Sequence, residues 1–317
     1  MIPFEWLSQA DKRIAPHITR TPLTYDAARN LYIKWENRQV TGSFKVRGAF
    51  NKVLLLEGWE REVGLVAASA GNHGLGLALA GQKVGAAVEI FVSEHAVPAK
   101  VEAMHALGAV IHAVPGGYGE AEAAGKNYAE EQQKTWVSPY NDGQVIAGQG
   151  TVGLEVSREL SHETAAWLVP VGGGGLVSGI GASLWEQTDR PKLIGVQSDA
   201  SAFMHSLFYG GTQDGTPDLP SLADGLAGAV EPGSVTIPMV RQLADEIVLV
   251  TEEEIAYAMA FAWYVYGEKL EGGGAVVLAA VLSGKVRKRP AVLVVSGGNV
   301  QPEVHAGIVE RFAGETW

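Results

Sequence analysis

Short apolar runs and helix-like segments take turns along this chain, and that alternation restricts the fold more than any other feature. "EVGLVAAS" at 62–69 reads as a buried strand, and "GNHGLGLALAGQKVG" after it reads as a helix. "AAVEIFVSE" with "PAKVEAMHALG", then "AVIHAVPG" with "EAEAAGKNYAEEQQK", repeat the pattern. "AAWLVPV" leads into a helix expected over 176–187, and "KLIGVQSD" follows as a strand. "EIVLVTEEEIAYAMAFAWYVYG" joins a strand to a helix with Thr251 as N-cap and Glu254 at the capping-box position. "AVLVVSGGN" supplies a last buried strand. Such alternation implies an α/β fold, a parallel sheet wrapped by helices with right-handed crossovers. The stretch 208–225 is irregular and reads as a long loop. A length of 317 residues suits two modest domains or one large one.

Composition removes several classes of function. Net charge is −11 with pI near 5.2, so a nucleic-acid surface, which needs clustered Lys and Arg, is not expected. There are no cysteines, which excludes disulfides, thiolate metal sites and a cysteine nucleophile. No apolar run reaches membrane-spanning length, and "MIPFEWLSQADKR" is too polar and acidic for a signal peptide. A soluble cytoplasmic protein is the expectation.

Glycine is the outlier, with 40 residues, roughly twice the usual share. Three glycine motifs follow predicted strands: "SAGNHG", "GGGG" and "SGGN". In parallel α/β folds ligands sit beyond the carboxyl ends of strands, so the three loops point to one shared site. "VGGGGLVSGIG" at 171–181 follows a strand and opens a helix, which suits backbone amides folded round a phosphate. It does not have dinucleotide-fingerprint or P-loop spacing. In "SAGNHG", Ser69, Asn72 and the local amides suit a carboxylate, although a plain capped helix start fits that motif too. Ser296 at a strand end is a neutral hydrogen-bond partner or a turn serine. Lys45 in "TGSFKVRGA" stands beside aromatic Phe44 and among Gly42, Ser43 and Gly48, a setting that allows close approach. A desolvated lysine beside a phosphate site can serve as a Schiff-base amine. A lysine imine, a phosphate cradle and a ring-nitrogen partner are together the requirements of pyridoxal 5'-phosphate.

"TGSFKVRGA", "SAGNHG", "VIAGQGTVGLE", "VPVGGGGLVSGI", "VTEEEI" and "VSGGN", with "RTPL" at 20–23 and "KWENRQ" at 34–39, resemble the threonine/serine dehydratase and serine racemase family, of pyridoxal phosphate fold type II. The matches run in order from about Arg13 to Asn299. The resemblance implies two domains, each a mostly parallel sheet flanked by helices, similar to the tryptophan synthase β chain. Residues 1–50 with 142–317 would form the large cofactor-binding domain, and 51–141 a small substrate-closing domain. It implies that Lys45 is the catalytic Schiff-base lysine, with Phe44 beside the cofactor ring and Asn72 on its phenolic oxygen. Gly172, Gly173, Gly174, Gly175 and Leu176 would hold the phosphate, and Ser296 would face the ring nitrogen. Ser69, Ala70, Gly71, Asn72 and His73 would form the substrate-carboxylate loop, with His73 a neighbour rather than a base. A homodimer acting on a small amino acid is implied as well.

Three departures narrow the reaction. Racemase-like members carry a second acid/base serine where this chain has Ala70, so elimination is expected over racemisation. Their divalent-metal positions correspond to Gln197 and Phe203, which cannot replace two hard anionic ligands, so no metal site is expected. The chain ends soon after Asn299, and a C-terminal regulatory domain is not expected. The reading is β-elimination from an L-β-hydroxy amino acid, threonine or serine first, to a 2-oxo acid and ammonia. Serine racemase, β-replacement or threonine synthase-like chemistry stand as alternatives, as do 3-hydroxyaspartate or phenylserine as substrates. A non-catalytic cofactor-binding protein is the reading from another class.

Overall fold

The structure is a computed structural model that describes residues 1–160, 162–185 and 187–317. Among these residues the strands are β1 Leu23–Asp26, β2 Leu31–Trp35, β3 Leu65–Ala68, β4 Val88–Ser93, β5 Val110–Val114, β6 Thr135–Trp136, β7 Ala166–Pro170, β8 Lys192–Ser198, β9 Glu246–Val250 and β10 Ala291–Val295. They form two sheets. One has six strands in the order β1-β2-β10-β7-β8-β9, and the other has four in the order β5-β4-β3-β6. All pairings are parallel except β1 with β2. Every residue of β7 and β10 is buried, as expected of apolar strands covered by helices on both faces. The described helices include none long and apolar enough to cross a membrane.

The expected strands and helices recur with small shifts at their ends. The helix expected over 176–187 spans Gly175–Leu184, and Glu186 lies outside the described residues. Residues 208–210, read as loop, are the last turn of a helix Phe203–Gly210. The capping box at Thr251 is present: its hydroxyl accepts from the Glu254 amide at 3.2 Å, and the Glu254 carboxylate accepts from the Thr251 amide at 2.8 Å. The β1–β2 hairpin was not foreseen. Its first strand is only partly buried and reads "LTYD", with no apolar run to mark it.

Three helices build the floor between the sheets. The helix Gly143–Glu159 packs against both Lys45–Leu55 and Gly175–Leu184. A Cβ on Gly148 would lie 2.6 Å from Gly48 Cα, and one on Gly150 would lie 2.6 Å from the Gly179 carbonyl oxygen. The backbones therefore touch, and the glycines of "VIAGQGTVGLE" are the condition for that approach.

A buried ionic cluster locks this floor to the hairpin. Arg47 Nε donates to Glu36 at 2.7 Å and Arg47 Nη1 to Glu155 at 2.8 Å. Lys34 Nζ donates to Glu155 at 2.6 Å and to the Thr21 carbonyl at 2.7 Å, while the Thr21 hydroxyl donates to Glu36. Arg47, Lys34 and Glu36 are wholly inaccessible to solvent. Burial opposes the charge on Arg47, but Glu36 and then Glu155 outweigh it and hold the guanidinium above its ordinary value. Burial likewise opposes ionisation of Glu155, and Arg47 with Lys34 outweighs it, leaving that carboxyl below the ordinary range.

Arg47→Ala would leave buried Glu36 without a cation and Glu155 with Lys34 alone, and is expected to lower stability by about 3–5 kcal/mol in urea unfolding. Because the Glu155 pKa is lower folded than unfolded, its contribution is full above the ordinary carboxylate range. It should fade as pH falls through the depressed folded value.

Candidate active site

The cofactor and substrate residues expected from sequence line one cavity of about 460 Å³ that lies between the two sheets. Phe44, Lys45, Ser69, Ala70, Gly71, Asn72, His73, Gly172, Gly173, Gly174, Gly175, Leu176 and Ser296 all contribute to its wall. The three glycine motifs follow β3, β7 and β10 at their carboxyl ends, so the shared-site expectation meets the geometry, with β3 coming from the second sheet.

Lys45 is the first residue of its helix, and Phe44 is the N-cap. Its amine donates to the Pro139 carbonyl at 3.0 Å and lies 5.4 Å from the Phe44 ring centre. Burial draws its pKa down to about 8, against the opposing pull of Glu271. Roughly a tenth of the amine is therefore neutral at pH 7, far more than for an ordinary lysine, and a neutral amine can act as nucleophile or base.

The glycine loop is shaped by what flanks it. A Cβ on Gly172 would sit 2.9 Å from Leu226 Cα, and one on Gly173 would sit 2.5 Å from the Tyr140 ring. Gly174 has φ of 86°, a left-handed value that other residues adopt at a cost. No side chain caps the helix that starts at Gly175. Among the described residues the N–H groups of Gly172 to Leu176 have no backbone partner. A row of unsatisfied amides at a helix N-terminus, facing a cavity, suits a phosphate group.

The "SAGNHG" loop leaves a second helix start open. Its N-cap is Gly71, with no side-chain cap, so the plain capped-helix alternative does not describe it. Ser69 Oγ accepts from the Gly71 amide at 3.2 Å. His73 is buried, and its Nε2–H donates to the Val137 carbonyl at 2.9 Å. Burial first, then the charge of Lys45, pushes its pKa down to about 3, so the imidazole stays neutral. Ser296 is buried and its hydroxyl donates to the Gly273 carbonyl at 3.2 Å.

Sequence reasoning missed several wall residues. Glu271 accepts from Asn72 Nδ2 at 2.7 Å, and burial with nearby Asp224 pushes its pKa up to about 7. Its only signal was the cluster "EGGGA". Tyr140 backs the glycine loop, and its hydroxyl accepts from the Glu231 amide at 2.9 Å. At the mouth, Lys100 Nζ meets Asp224 at 3.1 Å. At the positions tied to a metal in racemase-like members, Gln197 Oε1 accepts from the His205 amide at 3.0 Å, and Phe203 is buried in the core.

The residues present fit pyridoxal phosphate: a buried amine of lowered basicity, a cradle of free amides, and neutral donors around the space between. Comparison with known proteins agrees. The family model described as pyridoxal-phosphate dependent enzyme matches residues 14–297. The L-threonine ammonia-lyase of Thermotoga maritima is 38% identical over 98% of this chain and 79% of its own length. A solved structure of processed threonine deaminase isoform 2 from Solanum lycopersicum superposes with a TM-score of 0.88 at 30% identity, covering 98% of this chain and 93% of that one. Maize serine racemase superposes with a TM-score of 0.90 at 28% identity, covering 98% of both. The chain belongs to the pyridoxal-phosphate dependent enzymes, within the threonine/serine dehydratase and serine racemase family.

Proposed function

We propose that this enzyme is an ammonia-lyase that removes water from an L-β-hydroxy amino acid, threonine or serine first, and yields a 2-oxo acid and ammonia. The observation that carries the reading is the pairing of Lys45 on one side of the cavity with Ala70, rather than an ionisable residue, in the substrate loop. Relatives named for threonine ammonia-lyase and threonine deaminase activity support it.

When bound, pyridoxal phosphate supplies an aldehyde that condenses with amines and a ring that withdraws electrons from the substrate Cα. Lys45 is the residue that would hold it covalently. The amides of Gly172 to Leu176 would hold its phosphate, Asn72 would donate to its phenolic oxygen, and Phe44 would flank its ring. Ser296, a neutral hydroxyl in the cavity wall, would be the partner of the ring nitrogen and would leave it largely unprotonated. The open helix start at Ser69 to His73 binds the substrate carboxylate. With the cofactor and substrate bound, the Lys45 amine would be the general base for the Cα proton. The Cα proton taken by Lys45 and the departing β-hydroxyl together would make up the water released. Ala70 has no proton to deliver from the other face, which disfavours inversion at Cα. That same residue argues against the racemase reading despite the likeness to maize serine racemase.

The division into 1–50 with 142–317 and 51–141 belongs to this proposal. Two contacts between those parts support closure of the smaller one over substrate: Lys100 with Asp224, and Lys126 with Glu231 at 2.7 Å. Closure excludes water from the cavity. A cytoplasmic homodimer completes the proposal, on the family resemblance and the prevalence of two-fold assemblies.

A keto-acid assay with the purified protein and added cofactor is expected to show 2-oxobutanoate from L-threonine. Lys45→Ala should abolish it, and near-normal turnover in that variant would overturn the mechanism. The rate of cofactor uptake by the apoprotein should rise with pH and level off above about 8, where Lys45 is neutral. Gly173→Ala, whose methyl would strike the Tyr140 ring, is expected to weaken cofactor binding by about tenfold or more in equilibrium dialysis.

A further inference from the structure

Asn72 is held by more than its own helix. Asn299 Nδ2 donates to the Thr41 carbonyl at 2.8 Å and to Asn72 Oδ1 at 2.7 Å. Asn72 Nδ2 then donates to Glu271 Oε1 at 2.7 Å. The direction of this chain is fixed at its start. A backbone carbonyl only accepts, so the Asn299 atom facing it must be nitrogen. That nitrogen can only donate to Asn72, so the Asn72 atom it meets must be oxygen. The remaining Asn72 atom is therefore nitrogen, and a carboxylate oxygen receives one of its two hydrogens. The second hydrogen has no partner among the described residues.

Two glycines make room for the arrangement. A Cβ on Gly42 would lie 2.3 Å from Asn299 Oδ1, and Gly42 also has φ of 73°. A Cβ on Gly297 would lie 2.2 Å from Glu271 Oε1. The strands of chain that carry these glycines are themselves tied together, by Phe44 N to the Ser296 carbonyl at 3.1 Å and Gly298 N to the Gly42 carbonyl at 2.9 Å. The loop before Lys45, the loop after β10 and the start of the helix Gly272–Leu282 thus meet at one amide.

We propose that Glu271 and Asn299 are positioning residues that lock the Asn72 amide with its free N–H aimed as a donor at an anionic oxygen of the bound cofactor. The inference rests on the cofactor site of the proposed function. Without the lock, the amide of Asn72 could turn and present its oxygen, which would repel an anionic oxygen instead of binding it. Glu271 also titrates within reach of physiological pH, being pushed up to about 7 by burial and by Asp224. Its Asn72 bond and the cation Lys100 oppose that rise, and its own charge acts on Lys45, whose charge in turn bears on His73. Protonating Glu271 leaves one oxygen still able to accept from Asn72, so the orientation persists while the local charge changes.

The experiment compares wild type, Glu271→Ala, Glu271→Gln and Asn299→Ala as holoenzymes. It measures the visible absorption spectrum of the bound cofactor between pH 6 and 9 (a range that spans Glu271) and the dissociation constant for pyridoxal phosphate. Both alanine variants are expected to lose about tenfold in cofactor affinity and to shift the absorption band. Glu271→Gln keeps an acceptor for Asn72, so it should rescue most of the affinity while flattening the spectral change near pH 7. Wild-type spectra and affinity in both alanine variants would overturn the lock. Equal damage from Gln and Ala would overturn it as well, because charge and not orientation would then matter. If the alanine variants fail to fold, Asn299→Asp substitutes for them: an ionised carboxylate cannot donate to Thr41, so unaltered cofactor affinity there would also count against the lock. A wild-type protein that takes up no cofactor would overturn the proposed function together with this inference, whereas loaded wild type with unaffected variants removes the inference alone.

Discussion

The fully buried pairing of Arg47 with Glu36 and Glu155 is the interaction on which the cavity depends. Lys45 is the first residue of its helix, and first turns fray because their N–H groups have no helical partners. Arg47, two residues on, lies on the far side and is gripped by carboxylates from the hairpin and from the helix Gly143–Glu159. Its guanidinium is a rigid planar fork, so satisfying two carboxylates fixes the rotation of the helix as well as its position. The rotation decides where Lys45 points. Glycine contacts between helices set the spacing, and the ionic cluster sets the angle.

This cluster also explains what several matched sequence segments are for. "RTPL" contributes Thr21, "KWENRQ" contributes Lys34 and Glu36, "FKVRGA" contributes Arg47, and "GTVGLE" contributes Glu155. None of these five residues lines the cavity. In the sequence they were recognisable only by resemblance, because a lysine or glutamate destined for the interior looks the same as one destined for solvent. Nothing local marks Lys34, flanked by apolar Ile33 and Trp35, as one half of an ion pair 121 positions from its partner.

The fold was legible where the physics is local. Apolar runs marked β3, β4, β5, β7, β8, β9 and β10, but not the β1–β2 hairpin or the short β6, and Thr251 with Glu254 marked a helix start. The sorting of strands into two sheets was not legible from pattern alone, since pairing such as β10 with β2 joins residues at opposite ends of the chain. The site followed the same rule. Lys45, the Gly172 to Leu176 loop and Ser296 announced themselves by unusual glycine context. Glu271 and Asn299 did not, because their roles are relations to Asn72 that only the folded chain creates.

Burial acts on Lys45, His73 and Glu271 in the direction of neutrality. It lowers Lys45 to about 8 and His73 to about 3, and raises Glu271 to about 7. A cavity of this kind cannot bind anions with a cluster of arginines without penalty. An added cation beside Lys45 would depress the amine further and would hold Glu271 ionised, coupling cofactor capture to the charge of the base. Backbone amides avoid that conflict, because they carry partial positive charge at helix starts and never titrate. The uncapped starts at Asn72 and Gly175 are therefore the electrostatic counterpart of a lysine kept near its neutral form. Close packing requires Gly172, Gly173 and Gly175 there, and on the proposed function the open amides would also present anion-binding groups without adding a charge.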